Sequence, residues 1–125
     1  MRVTNPIAKI GEELAAEYLR KKGYKIIDRN FRKGYGEVDI VAIEDPNSSE
    51  KTLVFVEVKT RTSNLYGSPL EAINYWKLKT IIKTAQYYKL IHPNLPDALR
   101  IDAISVELFH ANKPKEIKHI KNIST

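Results

Sequence analysis

Two short runs of β-branched and apolar residues, VDIVAI at 38–43 and LVFVEVK at 53–59, constrain this chain more than any other feature. Val38, Ile40, Val54, Val56 and Val58 share one parity; Val41, Ile43, Leu53 and Phe55 share the other. Successive side chains of a strand point to opposite faces. A strand that is apolar at both parities must therefore be covered on both sides.

Two amphipathic helices are available as cover. Residues 6–22 place Ile7, Ile10, Leu14, Ala15, Tyr18 and Leu19 on one stripe. Thr4 and Asn5 can cap that helix, Pro6 suits its first turn, and Gly23 ends it. A second helix is expected from about Leu70 to Leu90, opened by Pro69 and stopped by Pro93 and Pro96. Its buried stripe would be Ile73 or Tyr75, then Leu78, Ile81, Ile82, Ala85 and Tyr88, with Trp76 packed as well. Strands are expected at 24–29, 36–43, 52–60 and 99–109, with a short edge strand at 116–120 in a Lys-rich tail from about 112. Asn30 to Tyr35 reads as a basic connection and EDPNSSEK at 44–51 as a turn. The prediction is one α/β domain over residues 1–125, three layers deep, with a mixed central sheet flanked by helices.

Charge sits inside the apolar runs. The strands at 36–43 and 52–60 are joined by a short turn and should pair antiparallel. A hairpin centred near Ser48 puts Asp39 opposite Glu57 and Glu37 opposite Lys59, all on one face. Opposed Cβ atoms lie roughly 4.5–5.5 Å apart, and two carboxylates that close repel unless a proton or a cation lies between them. A hard divalent ion held by Asp39 and Glu57 would relieve the repulsion, with Mg²⁺ or Mn²⁺ the natural choices. Lys59, on the same face, would orient a water and offset charge on a phosphorus centre. The alternative is a pair of ordinary cross-strand ion pairs, with Glu37 the partner of Lys59.

Composition points to a polyanionic partner. The formal charge is +6 and the pI about 9.5, which suits nucleic acid, with an anionic membrane or simple solubility as rivals. The absence of cysteine excludes disulfides and thiolate metal sites and fits the cytoplasm. No apolar run approaches the ~20 residues that span a bilayer, and the start shows no signal-peptide pattern, so no membrane association is expected.

An acid on one strand followed by Glu57-Val58-Lys59 on the next resembles the PD-(D/E)xK nuclease superfamily, which has the restriction-endonuclease-like fold. The longer segments GEELAAEYL (11–19), GYKIIDRNFR (23–32), GEVDIV (36–41), FVEVKTR (55–61) and RIDAISV (100–106), with Lys77 between, resemble the bacterial YraN-type family, itself similar to archaeal Holliday-junction resolvases. Val38 stands where the signature has proline. The resemblance implies a metal-dependent deoxyribonuclease acting on branched or structured DNA, with Asp39, Glu57 and Lys59 catalytic and a homodimer by analogy. It also implies a further acid, Glu12, on the first helix; a plain surface helix former is the rival reading.

Arg29, Arg32 and Lys33 precede the acids, Arg61 follows them, and Lys77 lies on the second helix; these are the candidate phosphate contacts. Tyr35 and Tyr66 could stack on a base or merely cover a loop. Asp102 reads as structural, and His92, His110 and His119 lack metal-ligand spacing. Two other function classes remain open: a non-catalytic DNA-binding or adaptor module on the same fold, and a protein-interaction subunit.

Overall fold

The computed structural model describes residues 5–34, 36–62 and 73–124. Helix α1 (Pro6–Lys21) starts where Asn5 Oδ1 accepts the amides of Ile7 at 3.0 Å and Ala8 at 3.4 Å, with proline in the first turn. It ends before Gly23, whose φ of +92° suits glycine. Strands β1 (Lys25–Lys33), β2 (Gly36–Glu44) and β3 (Thr52–Arg61) follow, then helix α2 (Tyr75–Ile91), β4 (Ala98–Leu108), a short 3-10 turn at His110–Asn112 and β5 (Pro114–Ile120).

The five strands lie in the order β1-β2-β3-β4-β5. β1, β2 and β3 form an antiparallel meander, β3 and β4 are parallel, and β5 returns antiparallel to β4. A parallel neighbour requires a crossover, and α2 lies in it. The double-sided apolar pattern is satisfied as expected. Ala15, Ala16 and Leu19 of α1 pack with Ile40, Ala42, Val54, Val56 and Val58. Ile81, Ala85 and Tyr88 of α2 pack with Val38, Val41, Ile43, Leu53 and Phe55. The result is a three-layer α/β architecture with a mixed sheet, consistent with the restriction-endonuclease-like fold. Among the described residues no helix is long and apolar enough to cross a membrane.

Three expectations are corrected. The basic stretch 30–33 is strand rather than connection, because β1 pairs with β2 as far as Lys33↔Gly36 and cross-strand bonding outweighs polar composition. β5 begins at Pro114, not at 116. Helix α2 starts at Tyr75, not near Leu70: Asn74 Oδ1 accepts the Lys77 amide at 2.9 Å, and Ile73 and Asn74 are not helical. The postulated start at Pro69, with Tyr35 and Tyr66, lies outside the described residues. Tyr75 and Trp76, in the first turn of α2, are 68% and 72% exposed rather than packed.

Two glycines set how closely the helices approach the sheet. A Cβ on Gly11 would fall 1.8 Å from Thr60 Oγ1 and 2.7 Å from Thr60 Cβ. One on Gly36 would fall 1.9 Å from Thr84 Oγ1. Gly11 therefore lets α1 rest directly on the end of β3, and this brings its neighbour Glu12 to the acids of the hairpin.

Candidate metal-binding site

The hairpin register is the expected one. The β2–β3 pairing runs from Glu44↔Thr52 to Ile40↔Val56, as a centre near Ser48 requires. There it ends, one residue short of Asp39 and Glu57. Beyond that point the Val58 amide donates to Asp39 Oδ2 at 2.7 Å, so a carboxylate stands where a backbone carbonyl would continue the ladder.

The pleat also changes at this residue. Val38 packs with the α2-side core and Ile40 with the α1-side core, although equal parity would place both on one face. Opposite Asp39, between Arg29↔Ile40 and Phe31↔Val38, stands Asn30 with φ of +54°. That is a left-handed conformation Asn tolerates better than most side chains. The grouping of Val38 with Ile40 from parity is thus overturned by a local irregularity in β1–β2.

Glu12, Glu37, Asp39, Glu57 and Lys59 all line one open cavity of about 290 Å³, together with Asn5, Ile7 and Ala8 at the start of α1. Glu57 is only 4% exposed. Its Oε1 lies 3.2 Å from Lys59 Nζ and 3.3 Å from Lys77 Nζ. Among the described residues no comparable cation stands on Asp39. Burial, first, and then the charge of Glu57 push its carboxyl up to about 8; the Val58 amide opposes this, and Glu12 and Glu37 add to it. Lys59 and Lys77 stand on Glu57 and Arg32 stands on Glu37, while Asp39 is held among three other acids.

This donor set fits a hard cation of the Mg²⁺ type. Among the described residues no three acidic or imidazole groups converge tightly enough to cage an ion by themselves. Mg²⁺ commonly takes one or two carboxylates and completes its shell with water and substrate phosphate. Asp39 and Glu57 are the two carboxylates available for that role, and imidazole is absent from the cavity lining, which disfavours zinc.

The expected Lys59–Glu37 ion pair does not form. Lys59 bonds Glu57 instead, and Glu37 bonds Arg32 at 2.9 Å, its cross-strand neighbour once β1 extends to Lys33. Of the candidate phosphate contacts, Arg32 and Lys77 reach carboxylates that line the cavity. Arg29 pairs with Glu13 of α1 at 3.2 Å, and Lys33 lies 4.6 Å from the Tyr87 ring centroid. Arg61 ends β3, half-buried beside Glu107 in register.

A second polar cluster gathers around Asp102, read from the sequence as structural but without its partners. Asp102 is fully buried, and its Oδ1 and Oδ2 accept from Arg100 at 2.8 and 2.9 Å, from His119 Nε2 at 2.8 Å and from the Asn122 amide at 2.9 Å. Arg100 also bonds Glu44, and the Tyr24 hydroxyl donates to Glu44 Oε2 at 2.6 Å. Burial alone would raise the Asp102 carboxyl, but the bonds from His119, Arg100 and the Asn122 amide outweigh it and hold it at about 2. Seventeen residues separate Asp102 from His119, so only the β4–β5 pairing brings them together.

Comparison with known proteins places the chain in a family. A family model described as the uncharacterised protein family UPF0102 matches residues 11–106. A UPF0102 protein of Alkaliphilus oremlandii is 46% identical over 118 residues, covering 93% of this chain and 95% of the relative. One from Syntrophomonas wolfei is 47% identical over 112 residues, covering 90% and 91%. A solved structure, Pyrococcus furiosus SfsA in complex with Ca²⁺, is similar at 16% identity and covers 92% of this chain and 60% of its own. At a TM-score of 0.31 that likeness carries no conclusion.

Proposed function

The chain belongs to the uncharacterised protein family UPF0102, and from the acidic cavity we propose that it is a metal-dependent endonuclease hydrolysing DNA phosphodiester bonds, on branched or otherwise structured DNA. The observation that carries this reading is the convergence of Asp39, Glu57, Glu12 and Lys59 on one cavity at the point where the β2–β3 ladder opens. A buried carboxylate left without a cation is costly, and such costs cluster at functional sites.

In this reading Asp39 and Glu57 would hold Mg²⁺ or Mn²⁺, and Glu12 would add a ligand or position a second ion. The bound ion would supply Lewis-acid charge at the phosphate and lower the pKa of a coordinated water. Lys59 stands beside Glu57 Oε1, where its ammonium can hold the attacking water and offset charge gathering on the phosphate oxygens. Lys77 reaches the same oxygen from α2 and couples that helix to the site. Arg29, Arg32, Lys33 and Arg61 are assigned to the DNA backbone, whose charge matches the +6 surplus. The enzyme is assigned to the cytoplasm, and a homodimer would present two such sites to one branched substrate.

Incubation with flap, junction and single-stranded DNA in Mn²⁺ should give cutting. The Asp39→Ala and Glu57→Ala variants should lose about a hundredfold to a thousandfold of that rate while remaining folded. Failure to cut any of these substrates, or cutting that survives both substitutions, would remove the proposal.

A second reading is favoured by one observation, the two ammonium groups already on Glu57 Oε1. They would let the site persist as a non-catalytic DNA-binding module. DNA binding that is steeply salt-dependent but indifferent to Mg²⁺ and to Asp39→Ala would select that reading.

A further inference from the structure

At the start of α2, Tyr75 and Trp76 form an exposed aromatic edge. Their ring centroids lie 5.7 Å apart in an edge-to-face arrangement. Lys79 Nζ sits 5.9 Å from the Tyr75 ring and 5.8 Å from the Trp76 ring. Large aromatics so exposed hold no core together, and two adjoining ones on a helix first turn carry a solvation cost. Lys77, the next residue, places its Nζ on Glu57 in the acidic cavity. The aromatic edge is therefore anchored beside the site by the helix that contributes to it.

We propose that Tyr75 and Trp76 form a stacking platform for unpaired bases of a DNA strand whose phosphate lies at the Asp39–Glu57 cavity. The inference rests on the nucleic-acid reading of that site and narrows its substrate to DNA with single-stranded character. Three features select this occupant. Tyr75 and Trp76 are largely exposed, so a planar partner can reach them, with the flexible Lys79 side chain the group it would displace. Lys77, Lys79 and Lys83 give this helix positive charge that complements a phosphate backbone. And α2 has no acidic residue in its first turn to repel a polyanion. Base–aromatic stacking tolerates any sequence, because every base has a π-face. In a blunt duplex those faces are already occupied by neighbouring base pairs, so the platform discriminates by strandedness rather than by sequence.

Trp76 is the sole tryptophan of the chain, so its fluorescence reports on the platform alone. The protein is titrated with oligo(dT), with an abasic oligomer of equal length and with a blunt duplex, in Mg²⁺, while strand integrity is followed on a gel. Oligo(dT) should quench Trp76 to saturation, whereas the abasic strand and the duplex should quench it several-fold less. By anisotropy of labelled strands, Trp76→Ala should weaken oligo(dT) binding by about tenfold and leave abasic binding unchanged. Trp76→Phe should restore most of the loss.

Oligo(dT) that binds without quenching, that binds Trp76→Ala as well as wild type, that binds no better than the abasic strand, or that fails to bind would each overturn the platform. Asp39-dependent cutting accompanied by any of those results leaves the endonuclease reading standing alone. Saturable quenching without cutting leaves the platform standing and removes the endonuclease.

Discussion

Strand β2 carries a carboxylate into each of two polar clusters. Asp39 near its start enters the acidic cavity, and Glu44 at its end enters the Arg100–Asp102 network, about 17 Å away along the strand. Both clusters place charge against the same apolar sheet, yet their electrostatics are opposite. Asp102 and Glu44 are each held at about 2, surrounded by Arg100, His119, Tyr24 and Lys121. Asp39 is pushed up to about 8 among Glu57, Glu12 and Glu37. One cluster is complete in the protein alone and ties β4, β5 and the end of β2 together. The other holds Asp39 among like charges, the condition that the proposed metal ion would relieve.

The largest effect that would test this contrast lies in the complete cluster. Arg100→Met removes the cation shared by two carboxylates, one of them fully buried. Stranding a buried charge in this way should cost about 3–5 kcal/mol of stability, measured by urea denaturation. The surviving folded fraction should still cut DNA, since Arg100 is absent from the acidic cavity. Asp39→Ala should do the reverse, abolishing cutting with little loss of fold. If Arg100→Met spared stability, or if Asp39→Ala unfolded the chain, the division between a structural and a functional cluster would be wrong. Acid should expose the same network. Glu44 and Asp102 contribute stability above about pH 4, and this contribution should be lost as pH falls from about 4 to 2.

A smaller effect probes how the incomplete cluster is assembled. Gly11→Ala would drive a methyl group into Thr60 and lift α1 from β3. The expected cost is about 1–3 kcal/mol, and Glu12 would withdraw from the cavity with the helix. Restoring room with Gly11→Ala/Thr60→Ala should recover part of the stability. An unperturbed Gly11→Ala melt would show that the helix can shift without penalty.

The same contrast separates what the sequence discloses from what it hides. The β2–β3 register is legible because a short polar turn between two strands suggests a hairpin centred near Ser48, and it carries Asp39 and Glu57 to one cavity although the ladder stops one residue before them. Glu12 is legible only through the Gly11-Glu12 resemblance; its physical cause is the Gly11–Thr60 contact between elements far apart in the chain. Lys59–Glu37 fails because pairing takes β1 on to Lys33, which brings Arg32 to Glu37. Trp76 fails because an aromatic in a helix reads as core, whereas it lies in the first turn of α2, off the face that Ile81, Thr84, Ala85 and Tyr88 bury. The Asp102–His119 bond has no local signal of any kind, since it exists only once β5 closes on β4.

The smallest expected effect is the most diagnostic because its sign is unusual. Asp39→Asn preserves a side-chain oxygen for the Val58 amide and removes a charge the folded state resists. In the folded protein the Asp39 carboxyl keeps its proton to about pH 8, whereas the unfolded chain loses it in the ordinary carboxylate range near 4. Folding therefore binds a proton across that window, and metal-free wild type should lose stability as pH rises from about 4 to about 8. In EDTA at pH 8 the Asn variant should melt higher than wild type, by about 3 °C, and its pH slope should be flatter. Mg²⁺ should reverse the order. Wild type should gain about 2.7 kcal/mol at a hundredfold excess over Kd, while the Asn variant, lacking one of two carboxylate ligands, should gain little. A variant that melts below wild type in EDTA, or that gains equally from Mg²⁺, would mean that Asp39 is as fully compensated as Asp102, and the distinction between the two clusters would fall.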